Sequence, residues 1–171
     1  MTALTSPTSS VQTASAILLV VAMAATVGAA LGFEHIGGYL PCKLCLEQRL
    51  PYYAGVPLMA FAALSSTLHW PAAMTRGLLM IGGLLMLYSL HLGVFHAGVE
   101  WAWWAGPTDC GAVAAPAEGG SGGVLDAINT VIPPSCDKAA LRVLGLSFAG
   151  WNAIASLVLA IVAFRGAFGK A

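Results

Sequence analysis

Four stretches of this chain are long, apolar and free of charge, and nothing else in the sequence constrains its fold as tightly. They run from about Ala14 to Phe33, Leu50 to Leu68, Gly77 to Phe95 and Val143 to Phe164. A bilayer core about 30 Å thick takes roughly 20 helical residues, and each stretch meets or nearly meets that length. The runs are continuous rather than alternating, and lipid leaves no water for an open backbone, so helices are expected rather than strands. Gly82-Gly83 and Ala24-Ala25 supply small residues for close helix–helix approach. Composition agrees: 58% of residues are hydrophobic and 8% charged, against about 25% charged in soluble domains. The expectation is an all-α integral membrane protein, a four-helix transmembrane bundle in a single domain covering residues 1–171. The net charge is zero, with no basic run, which argues against a nucleic-acid partner.

The first stretch also has the look of a signal peptide. Nothing before Ala14 is basic, however, and the run is longer than a usual h-region, so a retained first span is expected. Four spans put both termini on one side. The loops at about 34–49 and 96–142 then share the other side and carry all seven acidic residues, Glu34, Glu47, Glu100, Asp109, Glu118, Asp126 and Asp137. Lys and Arg divide three against four between the sides, which leaves orientation open. The long loop opens on Trp101, Trp103 and Trp104, read as an interfacial aromatic belt, and continues through a Gly/Ser stretch at 118–123. Val124, Leu125, Ile128, Val131 and Ile132 then recur with helical spacing up to Pro133-Pro134. That is the pattern of a short amphipathic helix lying on the membrane surface or on the bundle top.

All four cysteines fall on the acidic side. Cys42 and Cys45 form a C-x-x-C, and Cys110 and Cys136 share the long loop. Redox pairs and zinc sites share this motif, but zinc ribbons use two such pairs and the second is absent. Structural disulfides are the plainer alternative, and all three readings stay open at this point. The surroundings favour redox chemistry. Pro51 is tolerated in a first helical turn, which suggests a helix beginning near Leu46 or Glu47. Cys45 would then sit at its N-terminus, where the macrodipole stabilises a thiolate, with the permanent charge of Arg49 one turn on. His96 and Glu100 are i, i+4 neighbours where the third helix leaves the membrane. His91, deeper, is expected to make an interhelical hydrogen bond, as is Asn152, while Trp151 beside it is expected to pack.

The run Pro41-Cys42-Lys43-Leu44-Cys45-Leu46-Glu47-Gln48-Arg49, followed by Pro51-Tyr52, resembles the signature of the bacterial disulfide bond formation protein B (DsbB) family. His96-Ala-Gly-Val-Glu-Trp leading to Gly106-Pro107-Thr108-Asp109-Cys110, and Leu144-Gly145-Leu146-Ser147 after Cys136, are similar to it too. The likeness covers nearly the whole chain. It implies a quinone-dependent protein-disulfide oxidoreductase of the bacterial inner membrane, a multi-pass protein with its cysteines facing the periplasm and both termini cytoplasmic. Such an enzyme reoxidises a periplasmic thioredoxin-like oxidase of the DsbA type and passes the electrons to ubiquinone or menaquinone. Carried over by position, Cys110 would form the mixed disulfide with the partner, and Cys136 would be its pair and relay to Cys42. Cys45 would be the thiolate facing the quinone, Arg49 would stabilise the reduced ring oxygen, and His96 would be a second polar contact. No metal enters that scheme. Gln48 stands where some members have an acid, which argues against a catalytic role for it.

A DsbA-type dithiol, near about −120 mV, gives up electrons only to a strong acceptor, and the membrane quinone pool is one. Three readings compete with this one. The first is an enzyme resembling vitamin K epoxide reductase, with a C-x-x-C and a quinone in a different motif context. The second is a non-catalytic membrane protein whose cysteines form structural disulfides. The third is a metal-handling protein.

Overall fold

A computed structural model describes residues 8–107 and 135–169. Four long helices make up most of it: α1 (Ser10–His35), α2 (Lys43–Thr67), α3 (Ala72–Glu100) and α4 (Phe148–Phe168), with a small hairpin of β1 (Arg142–Val143) and β2 (Leu146–Ser147) before α4. The 124–132 segment read as a surface helix lies outside the described residues.

Local chemistry explains each boundary. A capping box starts α1: Ser9 Oγ accepts the Gln12 N–H, and Gln12 Oε1 accepts the Ser9 N–H. α2 ends in a left-handed residue, His69 at φ 57, past which Trp70 N–H reaches back to the Ser65 carbonyl at 3.0 Å. The last helix begins at Phe148 rather than Val143. Leu144 and Gly145 both have positive φ (53 and 84), the geometry of a two-residue hairpin turn, so residues 142–147 pair as β1 and β2. Ser147 then caps α4 by accepting the Gly150 N–H at 3.2 Å.

The bundle is apolar on its outside as well as in its core. Its core is Met23, Met59, Met86, Leu19, Leu79 and small residues such as Ala16, Ala62 and Ala163. Ile17, Leu18, Val21, Leu84, Ile154, Leu157 and Val158 point outward and are exposed. A continuous apolar exterior of this kind suits lipid, and association then depends on close packing of small residues. Gly93 supplies one such approach, because a Cβ there would lie 3.0 Å from the Ala153 backbone nitrogen on α4. Gly82 and Gly83 also lie at interfaces, against Met59 and Phe164. Ala24 and Ala25 do not; both are exposed, because they fall on the outer face of α1.

Helices α1, α3 and α4, of 26, 29 and 21 residues, are long and apolar enough to cross a membrane. α2 falls short of that apolarity. It is 25 residues long, but it carries Glu47, Gln48, Arg49 and two internal prolines, Pro51 and Pro57.

Candidate functional site

Pro41 and the glycine turn before it (Gly38 at φ 71) deliver Cys42 to the N-cap of α2, with Lys43 as the first helical residue. Cys42 Sγ accepts the Cys45 N–H at 3.4 Å, as a capping side chain does. The helix therefore starts three residues before the Leu46 expected from Pro51, which lies in its interior instead. Capping at Cys42, rather than proline tolerance, sets the boundary. The N-terminal field of the helix is consequently felt first by Cys42 and not by Cys45 alone.

Cys42 and Cys45 are free thiols with their sulfurs 3.0 Å apart. They titrate as a pair. The hydrogen bond from Cys45, followed by His96, outweighs burial and pulls Cys42 down to about 4. The hydrogen bond to Cys42, then burial and the Cys42 charge, push Cys45 up. In the reduced pair these contacts favour a thiolate on Cys42, whereas the sequence pointed to Cys45.

The two sulfurs face different surroundings. Cys45 lines a cavity of about 340 Å³ between α1, α2 and α4, together with Val27, Ala30 and Phe33 of α1, Gln48, Arg49 and Tyr52 of α2, and Phe148, Trp151 and Asn152 of α4. Arg49 reaches into it while donating to the Glu34 carboxylate, which also lines it, and to the Ala30 carbonyl at 3.4 Å. Cys42 is buried among Leu44, Val99 and Cys136. Cys136 is disulfide-bonded, and its sulfur, Cys42 Sγ and His96 Nε2 all lie within 4.8 Å of one another. Cys110 lies outside the described residues.

His96 belongs to the Cys42 side. It is buried and does not line the cavity. Its Nε2 is 3.7 Å from Cys42 Sγ and 3.8 Å from Glu100 Oε1, while Nδ1 meets the Gln48 amide nitrogen at 2.6 Å. An amide nitrogen donates, so in this arrangement the proton of a neutral ring is on Nε2, toward Cys42 and Glu100. Gln48 is also the head of a polar chain. Its Oε1 accepts from Asn152 Nδ2 at 2.7 Å, and Asn152 Oδ1 accepts from the Tyr52 hydroxyl at 2.7 Å. Tyr52 meets Ser156 at 3.0 Å, and Ser156 donates to Ser89 at 2.8 Å. Buried polar groups stay in an apolar bundle only when paired in this way.

Asn152 makes the interhelical bond expected of it. His91 does not, because its position on α3 is exposed, one helical face away from the Ser89–His96 line. Trp151 is half-exposed and ties its indole N–H to the Val143 carbonyl at 3.0 Å. Glu34, Gln48 and Tyr52 were missed as site residues. The signal for two of them was present: Gln48 and Tyr52 on α2, like Asn152 and Ser156 on α4, are i, i+4 polar pairs on otherwise apolar helices.

The site is a dithiol at the head of a membrane-type helix bundle, one sulfur on a cavity and the other beside a disulfide, which defines the class as a helical membrane protein with a cysteine-lined site. The model of the family described as "Disulfide bond formation protein DsbB" matches residues 12–165, and the chain belongs to that family. It is similar to the Disulfide bond formation protein B of Acinetobacter baumannii, 34% identical over 85 residues (48% of this chain and 47% of the relative). It is also similar to the protein of that name in Nitrosomonas eutropha, 36% identical over 87 residues (51% and 49%). The match thus spans about half the length of each curated relative. No solved structure matches the chain.

Proposed function

We propose that this chain is a quinone-dependent protein-disulfide oxidoreductase of the bacterial inner membrane. In this reading it reoxidises a periplasmic DsbA-type thioredoxin-fold oxidase and passes the electrons to ubiquinone or menaquinone. The supporting observation is the division of the C-x-x-C, with Cys45 on the cavity and Cys42 turned toward the Cys136 disulfide. α2 is the fourth span of this reading, since 25 residues reach about 37 Å and it packs between α1 and α3. Both termini are then cytoplasmic and the cysteines periplasmic.

A quinone bound in the cavity would supply a two-electron, two-proton acceptor. The volume and the mainly apolar walls fit a small-molecule site of about 300–1,000 Å³ with few polar groups. Arg49 would meet the ring oxygen that gains charge, Glu34 would fix the guanidinium, and Phe33, Phe148 and Trp151 would exclude water. The protein's own step is thiol–disulfide exchange. With Cys42 and Cys45 joined, a Cys136 thiolate attacks Cys42. The Cys42–Cys136 bond forms, the Cys42–Cys45 bond breaks, and the electron pair leaves on Cys45 into the cavity. Cys110, the remaining cysteine, is the proposed partner of Cys136 and the point of attack for the soluble dithiol. While Cys42 is tied up in this way, the main cause pushing the Cys45 thiol up is gone and the Arg49 charge favours its thiolate. His96, in this scheme, serves Cys42 rather than the quinone.

The test is quinone reduction by the purified protein in detergent, supplied with a reduced DsbA-type partner. Partner-dependent reduction that disappears in Cys45→Ser supports the relay. A folded protein with intact cysteines that reduces no quinone leaves structural disulfides as the answer.

A further inference from the structure

Glu100 is the group that the relay does not use. Its side chain is 5% exposed, and Oε2 has no hydrogen-bond partner among the described residues, while Oε1 lies 3.8 Å from His96 Nε2. A buried carboxylate oxygen without a partner is costly, and such a position calls for a proton or a cation. Glu100 meets a group of three donors through His96: Cys42 Sγ, His96 Nε2 and Cys136 Sγ all lie within 4.8 Å of one another, and Glu100 Oε1 approaches the group at His96 Nε2.

We propose that reduction of the Cys136 disulfide converts this cluster into a site for a thiophilic divalent cation, with zinc(II) as its natural class. Cys42, His96 and Cys136 are the sulfur and nitrogen ligands, and Glu100 is the oxygen ligand. Tetrahedral zinc with Zn–S of about 2.3 Å and Zn–N of about 2.0 Å places its ligand atoms about 3.5–3.8 Å apart. The Cys42–His96 separation of 3.7 Å already meets that, and the widest separation among Cys42, His96 and Cys136 needs to close by only about 1 Å, with Glu100 swinging in from His96 to complete the set. Two thiolates and a carboxylate in one buried pocket carry three negative charges, which a dication offsets. His96 is also suitably held. Metal on Nε2 puts its proton on Nδ1, where the Gln48 amide, 2.6 Å away, presents its oxygen once Gln48 and its partner Asn152 flip together. The oxidised protein lacks the Cys136 thiolate, so the site exists in the reduced state alone. Zinc would therefore trap the enzyme with its loop cysteine reduced. Cys45 is not a ligand here, because its sulfur lies outside the cluster and on the cavity.

The full chain in detergent is treated with a trialkylphosphine, which cleaves the disulfide to two thiols and becomes the phosphine oxide. Zinc is then titrated against a chromogenic chelator, and the release of protons from the thiols is followed. The expected result is one tightly held zinc per reduced chain and none per oxidised chain. Cys45→Ser should leave binding unchanged, Cys136→Ser and His96→Ala should abolish the tight site, and Glu100→Gln should weaken it by about 10–100-fold. No zinc on the reduced chain overturns the proposal. Binding that survives Cys136→Ser and is lost with Cys45→Ser overturns it as well, and assigns the metal to the C-x-x-C. A second measurement on the unaltered chain needs no variant to fold: zinc should shield Cys42 and Cys136, but not Cys45, from alkylation mapped by mass spectrometry. Shielding of Cys45 with Cys136 left open overturns the assignment. Neither readout depends on quinone reduction, so failure here leaves the oxidoreductase reading standing, and the reverse holds too.

Discussion

The two ends of the bundle bury different kinds of residue. Toward the α2–α3 turn the interior is mainly Met59, Leu79, Ala62 and Ala163, with short polar side chains, Ser65 and Thr75 at 2.7 Å and Ser66, and Gln12 at the start of α1. Toward the cysteines the interior is polar, with Gln48, Tyr52 and Asn152 lining a cavity and His96 and Glu100 packed on the Cys42 side of it. The far end is packed around methionine, leucine and alanine with few polar atoms, and the cysteine end gives up packing for a cavity and a longer hydrogen-bond chain. Substitutions at the cysteine end should therefore change chemistry with little effect on stability, and those at the far end should do the reverse.

The largest expected effect is at Cys45. Cys45→Ser should bring partner-dependent quinone reduction to background while the helix content and the unfolding midpoint in detergent stay unchanged. A large loss of stability would break the contrast between the ends. Next is the titration of Cys42, followed by thiolate ultraviolet absorbance in a chain carrying Cys110→Ser and Cys136→Ser. The absorbance should persist well below pH 7 and disappear near pH 4. Because the folded value is lowered from 9.0, the matching stability is full above about pH 9 and is lost as pH falls through 4. An ordinary thiol titration near 8.5 would deny Cys42 its capping and His96 contacts.

At the far end, Met59→Ala should cost about 2–5 kcal/mol in a reversible unfolding titration, with the quinone KM unchanged. Arg49→Ala should raise the quinone KM roughly tenfold, about 1.4 kcal/mol of binding, with little change in unfolding. The smallest effect belongs to Ser65→Ala, at about 1 kcal/mol of stability and none of activity. A loss of turnover there would show that the two ends are coupled.

How much of this was legible beforehand follows from the range of each interaction. The helical membrane class and the centres of α1 and α3 rest on local apolar runs, which lipid and backbone hydrogen bonding convert into helices whatever the neighbours do. The C-x-x-C and Arg49 are local too, and their spacing alone puts sulfur and guanidinium at one helix mouth. The start of α2 was misplaced because it depends on a single capping sulfur, and α4 was begun early because residues 142–147 turn back as a hairpin.

The sequence by itself determined a helix bundle, a C-x-x-C pair at a helix mouth and a family. Tertiary packing alone decided which sulfur faces which neighbour. Cys42, Cys45 and Arg49 share one turn of chain, but Glu34, His96, Cys136 and Asn152 arrive from three other elements and the hairpin side of the bundle. Which of them meets Cys42 and which meets Cys45 depends on the rotation and depth of each helix. Those are set by contacts such as Gly93 on Ala153 and Gly55 on Met23, between residues far apart in the chain, which no local pattern encodes.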